Sequence, residues 1–220
     1  MFDRNKIKEI QEYIKNTGSL SKIVAISKNH PKESVFEAID CGLREFGENR
    51  VQEAKIKFYE LLYKYPDIIL HLTGPLQTNK VKEALKIFTI FHTLDRKKLA
   101  KEFAKHPSTV KSKKFFIQVN TGKEKSKSGV LPDDLKDLFL FCKKDLNLNI
   151  IGLMCIPPIN EDPKTHFKLL KEMGQGFGLN KFSMGMSSDY KEAINLNSTY
   201  IRLGTILFGK RLWIMRFYYF

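Results

Sequence analysis

Apolar residues in this chain fall into short blocks, and between the blocks they recur at helical spacing. The blocks at residues 22–27, 68–74, 88–95, 115–120, 149–156, 181–186 and 200–209 are short and rich in Ile, Val, Leu and Phe. Runs of that length, bounded by turn residues, predict buried strands. A briefer segment, REFGEN at 44–49, reads as an eighth strand, second in order. The intervening segments predict helices at 5–17, 32–41, 51–65, from Thr78 or Asn79 to about 87, after Asp95, from Pro132 to about 146, at 163–174 and at 189–196. Gly18, Gly42 and Pro66 punctuate three of them. Asp95 and the Ser187-Ser188-Asp189 run stand where N-caps are expected, as do Thr78 and Asn79.

Strands alternating with helices imply a parallel sheet joined by right-handed crossovers. Eight such units in one domain, residues 1–220, predict an α/β fold of the single (β/α)8 TIM-barrel type. The competing layout is an open doubly wound sheet. It would carry a glycine-rich loop after the first strand, where this chain has Lys28-Asn29-His30-Pro31.

Composition changes this picture little. Hydrophobic residues at 42% and charged residues at 28% are ordinary for a soluble domain with one core. The N-terminus is charged throughout, and no apolar run nears the roughly 20 residues of a membrane span. Cys41, Cys142 and Cys155 are an odd number, far apart in sequence. They point to reduced thiols in the cytoplasm, with neither a disulfide framework nor a zinc site. The net charge of +14 raises the possibility of a nucleic-acid partner. Against that, the lysines are spread along the whole chain, and no aromatic-basic motif interrupts them.

Barrel active sites form at the C-terminal ends of the strands. Here those ends carry Lys28, Asn49, Gly74 with Gln77, Asp95, Asn120, Met154, Ser187, and Arg202 with Gly204 and Thr205. Lys28 reads two ways. It is a solvated lysine at a strand end, or an amine at the rim of a core, where desolvation favours its neutral, nucleophilic form. Lysine, arginine, hydroxyls and a Gly-Thr pair together suit a ligand with an aldehyde and a phosphate. Other polar residues have plainer readings. Asp95 suits an N-cap better than an acid catalyst, His71 a packed barrel position, His30 a loop, and Cys155 a small buried hydrophobe. Met154, Met184 and Met186 suit the core.

VAISKNHP, FGENRVQEA, HLTGPLQTNKVK, FIQVNTGKEKSKSG, GLMCIPP, SMGMSSDYKEAI and STYIRLGTILFGKR occur in this order over residues 23–211. On these motifs the chain resembles the pyridoxal phosphate homeostasis proteins, single-barrel relatives of the alanine racemase N-terminal domain. The resemblance implies that Lys28 holds pyridoxal 5'-phosphate as an internal aldimine. Asn49 and Met154 would lie against the cofactor, Ser187, Gly204 and Thr205 would hold its phosphate, and Arg202 would face the pyridine nitrogen. It implies a carrier that buffers or delivers the cofactor, with PLP-dependent apoenzymes as recipients, acting as a monomer without turnover. The alternatives are a PLP-dependent amino-acid racemase, which needs a second base that Tyr218 or Tyr219 would have to supply, and a basic nucleic-acid-binding barrel. Two features depart from the family: Thr73 replaces a usual apolar residue, and 212–220 form an aromatic tail.

Overall fold

The computed structural model describes residues 2–209. Eight parallel strands close into a barrel in sequential order, each paired with its chain neighbour and the last with the first. They are β1 (Lys22–Ile26), β2 (Glu45–Glu48), β3 (Ile69–Leu72), β4 (Ile90–Leu94), β5 (Lys114–Val119), β6 (Ile150–Cys155), β7 (Lys181–Ser183) and β8 (Tyr200–Leu203). The outer ring holds α1 (Arg4–Asn16), α2 (Lys32–Asp40), α3 (Val51–Lys64), α4 (Val81–Ile87), α5 (Lys97–Ala104), α6 (Pro107–Val110), α7 (Leu135–Leu140), α8 (Pro163–Gln175), α9 (Tyr190–Asn195) and α10 (Thr205–Phe208). The alternating pattern thus yields the closed barrel rather than the open sheet. The aromatic tail 212–220 and Arg211 lie outside the described residues.

The period-2 geometry of strands sorts the side chains into two cores. Ile23, Ala25 and Phe46 face the helices and join the large apolar layer with Phe58, Leu61 and Phe103. Val24, Ile26, Ile90, Phe116, Met154 and Tyr200 form a separate cluster inside the barrel. Gly47 supplies space for it, because a Cβ there would stand 2.4 Å from Ile26 Cδ1.

Local details depart from the sequence expectations, mostly at element ends. The last apolar run divides into β8 and the short α10, since the chain turns at Gly204 (φ −111°, ψ −89°). Asp95 does not cap α5, whose N-cap is Arg96; its carboxylate pairs with the Arg96 guanidinium instead. Thr78 and Asn79 form a 3₁₀ turn ahead of α4, and neither caps it. Asp189 holds the N-cap position of α9, but its carboxylate accepts from the backbone N–H of Met186, tying the preceding loop together. The helix expected to run to about 146 ends in a π turn over Phe141–Asp145.

Two buried polar groups organise the strands. Between the sheet and α3, Lys57 Nζ donates to Glu48 Oε1 at 2.7 Å, to Ser27 O at 2.6 Å and to Glu53 Oε1 at 3.1 Å. Ser27 Oγ donates to the same Glu48 oxygen at 2.7 Å. Burial pushes the Glu48 carboxyl up, against the pull of Lys57. Inside the barrel, Glu45, His71, His92 and Ser183 form successive contacts. Glu45 Oε2 lies 2.7 Å from His71 Nε2, His71 Nδ1 lies 2.8 Å from His92 Nε2, and His92 Nδ1 lies 2.7 Å from Ser183 Oγ. Both histidines are fully buried, and burial lowers their pKa, that of His92 well below the usual value.

Two measurements test these groups. Lys57→Met strands Glu48 as an uncompensated buried charge and is expected to destabilise the fold by about 3–5 kcal/mol in urea denaturation. Adding Glu48→Leu removes the stranded charge and should restore most of that loss; a double variant no better than the single one contradicts the account. For the histidines, a depressed folded pKa means the unfolded chain takes up their protons first. Their contribution is intact above pH about 6.5 and is lost as pH falls below it. The pH slope of the unfolding free energy between about 6.5 and 5 should shrink in His92→Phe, and an unaltered slope would refute the neutral assignment.

Candidate functional site

At the C-terminal end of the barrel, a cavity of about 320 Å³ is lined by Lys28, Asn49, Ser187, Arg202, Gly204 and Thr205. Six of the seven residues that the family resemblance assigns to the cofactor therefore meet in one place. Their convergence follows from strand parity. Val24, Ile26 and Lys28 share the inward face of β1 and its continuation, and Arg202 pairs with Val24 across the β1–β8 seam.

Lys28 is half-buried and stands on a tight turn: His30 N–H donates to Ser27 O at 3.1 Å, with Asn29 at φ 60°. Asparagine tolerates that left-handed conformation better than most side chains. The turn is anchored from behind, since Lys57 donates to the same Ser27 carbonyl. The anchoring thus comes from the helix side and leaves Lys28 on the cavity side. Asn49 follows β2 and accepts at Oδ1 from Thr73 Oγ1 at 3.1 Å. Gly74 is needed beside it, because a Cβ there would lie 2.5 Å from Asn49 O.

Arg202 is buried beneath the cavity. Its Nη1 donates to Ser183 Oγ at 2.8 Å and its Nη2 to Cys155 O at 2.9 Å. Burial lowers its pKa from a very high starting value, with Cys155 and Asp189 opposing. A guanidinium starts so far above neutrality that it remains a cation. Ser187 Oγ accepts from Ile206 N–H at 3.3 Å, joining the loop after β7 to the start of α10. Thr205 is exposed at the rim.

Met154 is the exception among the expected residues. It is fully buried in the barrel-interior cluster and lies below the cavity lining, whereas Ile156, just past the end of β6, reaches the lining. Gln77 and Asp95 line a neighbouring cavity with Lys80, Arg96 and Ser128, which shares Asn49 with the first. Asn120 is buried and brackets the loop after β5, donating to Glu124 O at 2.9 Å and accepting from Glu124 N–H at 3.3 Å. Cys155 is buried, and burial pushes its thiol up to about 12.

The cavity also includes His30, Thr73 and Met186, which sequence reasoning did not assign to the site. For Thr73 a signal existed, since it continues the inward parity of Ile69 and His71 and departs from the apolar habit at that position. His30 stacks on Phe208 with ring centroids 5.2 Å apart, a long-range contact that no local pattern foretells.

Fold and cavity together define a single parallel barrel whose mouth presents an amine, a buried guanidinium and hydroxyls. The family model of the alanine racemase N-terminal domain matches residues 3–211. A pyridoxal phosphate homeostasis protein of Aquifex aeolicus is 39% identical, with 93% of this chain and 95% of the relative covered. Another of that name, from Vibrio cholerae, is 36% identical over 94% of this chain and 92% of the relative. The chain belongs to the alanine racemase N-terminal domain family and, within it, to the pyridoxal phosphate homeostasis proteins. Among solved structures, PipY of Synechococcus elongatus with PLP bound superposes with a TM-score of 0.81 at 32% identity, covering 94% of this chain and 99% of that one. Alanine racemase of Acinetobacter baumannii, at 19% identity and a TM-score of 0.70, shares the barrel fold; the match covers 94% of this chain and 62% of the racemase.

Proposed function

We propose that this protein binds pyridoxal 5'-phosphate at the barrel mouth and serves homeostasis of that cofactor in the cytoplasm. It buffers the cofactor or delivers it to PLP-dependent apoenzymes, as a monomer, without turning over an amino acid. The observation that carries the reading is the shared cavity of Lys28, Arg202, Ser187 and Thr205. Its donor set fits the cofactor group by group, and the names of the relatives and the PLP-bound PipY structure support it. Among the described residues, no helix is long and apolar enough to cross a membrane.

Bound in this cavity, pyridoxal phosphate supplies an aldehyde, an electron-withdrawing ring and a phosphate. Lys28, once deprotonated, carries the amine that condenses with the aldehyde and releases water. Ser187 and Thr205 offer hydroxyls to the phosphate, and Gly204 lets the backbone approach between them. Arg202 would set a fixed cation toward the ring nitrogen, disfavouring its protonation and so weakening the ring as an electron sink. Asn49 is positioned by Thr73 to flank the ring. A weak electron sink favours holding the cofactor over amino-acid chemistry.

Three experiments test the site. Lys28→Ala should lose both the visible absorbance of the loaded protein and the pyridoxyl adduct trapped by borohydride; an undiminished adduct on another lysine would displace Lys28 as the anchor. On the same wild-type sample, measurable alanine racemisation would overturn the reading without turnover. Pyridoxal should bind at least about ten-fold more weakly than its phosphate, as expected for the loss of hydrogen bonds to a charged group. That gap should narrow in Ser187→Ala/Thr205→Ala, and equal affinities in the wild type would remove the phosphate assignment.

A further inference from the structure

The buried contacts through the barrel interior have a single consistent direction. The Arg202 guanidinium can only donate, so Ser183 Oγ accepts from it. At the other end the Glu45 carboxylate can only accept, so the proton of neutral His71 sits on Nε2 and is donated to Glu45 Oε2. His71 Nδ1 then accepts from neutral His92, whose proton sits on its own Nε2. His92 Nδ1 is left to accept from the Ser183 hydroxyl 2.7 Å away. Within the series, Ser183, His92 and His71 each donate once to the next member and accept once from the one before, between a cation at one end and an anion at the other.

His71, His92 and Ser183 are fully buried. The Tyr200 ring packs edge-on to His71 with centroids 5.0 Å apart, and Phe116 packs on His92 at 4.8 Å. The charged and titratable groups facing the series sit at its two ends. Lys22 donates to Glu45 Oε1 at 2.8 Å, and Tyr200, pushed up to about 12 by burial, faces the same carboxylate. Cys155 and Asp189 face Arg202. A low-dielectric interior strengthens such a chain when every member is satisfied and makes one broken link costly. The chain does not serve as a proton conduit to the mouth, because it ends on a guanidinium that does not release its proton.

We infer that Glu45, His71, His92 and Ser183 act together as positioning residues for Arg202, a one-directional relay that fixes its guanidinium beneath the ligand cavity from the opposite end of the barrel. Ligand retention at the mouth then depends on side chains that never touch the ligand. The consequence for affinity rests on the reading that this cavity holds pyridoxal phosphate; the polarity of the relay does not.

The first test needs no ligand. Nitrogen-15 NMR of the histidine rings at pH 7 should find both His71 and His92 as neutral Nε2–H tautomers. An Nδ1–H tautomer, or a charged ring, at either position overturns the relay. The second compares pyridoxal phosphate affinity and the absorption maximum of the bound ligand in the wild type and variants. His92→Phe, checked for folding by circular dichroism, should weaken binding about ten-fold and shift the band. Glu45→Leu should do likewise, whereas Glu45→Gln, whose amide oxygen still accepts from His71, should recover most of the affinity. Affinity and spectrum unchanged in a folded His92→Phe would overturn the positioning role. Should His92→Phe fail to fold, the Glu45 pair decides alone: equal losses in Leu and Gln variants refute the relay. A wild type that binds no pyridoxal phosphate would sink the cofactor reading, while the tautomers would still decide the relay.

Discussion

The mouth of this barrel depends on the seam where β8 meets β1. Lys22 pairs with Tyr200, Val24 with Arg202 and Ala25 with Leu203, so closure sets the two ends of the described chain side by side. That register alone brings Lys28 and Arg202 to one cavity, although most of the chain separates them in sequence. Around the seam, the N-terminal segment reinforces closure: Asp3 N–H donates to Leu207 O at 2.7 Å, and Phe2 packs on Phe208 with centroids 5.3 Å apart. A slip of one residue along this seam would invert the parity of β1 and turn Lys28 toward the helices. The functional geometry is therefore a property of barrel closure before it is a property of any loop.

Two buried polar assemblies then refine what closure brings together, one on each side of β1 and β2. Behind the strands, Lys57 donates to the carbonyl of Ser27 while Glu48 accepts from the Ser27 hydroxyl, and together they hold the turn that carries Lys28. Inside the barrel, contacts running from Glu45 reach the guanidinium of Arg202 through Ser183. Neither assembly is a cheap source of stability, since desolvating charges offsets most of their attraction. Apolar substitutes would fill the same space, but they would not hold an amine and a guanidinium in fixed directions.

The order and type of the elements were legible because the chain writes them twice, as apolar blocks and as glycine or proline breaks between them. All eight strands fall within or next to the expected segments. Element ends were less legible, for a reason visible at Asp95 and Asp189. A carboxylate at a helix start caps only if no stronger partner is near. Here the Arg96 guanidinium and the Met186 N–H win that competition. The lining of the cavity was legible where strand parity and the family motifs agreed, as at Lys28, Asn49 and Arg202. Met154 lies below the lining, because the sequence shows which residues alternate but not how far a strand rises toward the mouth. β6 runs to Cys155, so the inward residue at cavity height is Ile156. Glu48 and Lys57 were invisible for the opposite reason, since in a surface-like pattern of charges nothing marks a pair that faces inward.

On the proposed reading, in which the cavity holds pyridoxal phosphate, the buried position of Arg202 matters. Exposed, an arginine at the mouth would be free to pair with any carboxylate or phosphate arriving from solution, and water would screen its effect on the ring. Arg202 is instead held at Nη1 and Nη2 by Ser183 and Cys155 before any ligand arrives. Its charge then acts in a low-dielectric setting and costs no reorganisation on binding. On the proposed reading, a fixed cation at the ring nitrogen would also oppose the protonation that draws electrons from a bound amino acid. The fixed direction of that charge thus comes from one placement of one side chain, held by its hydrogen bonds to Ser183 and Cys155.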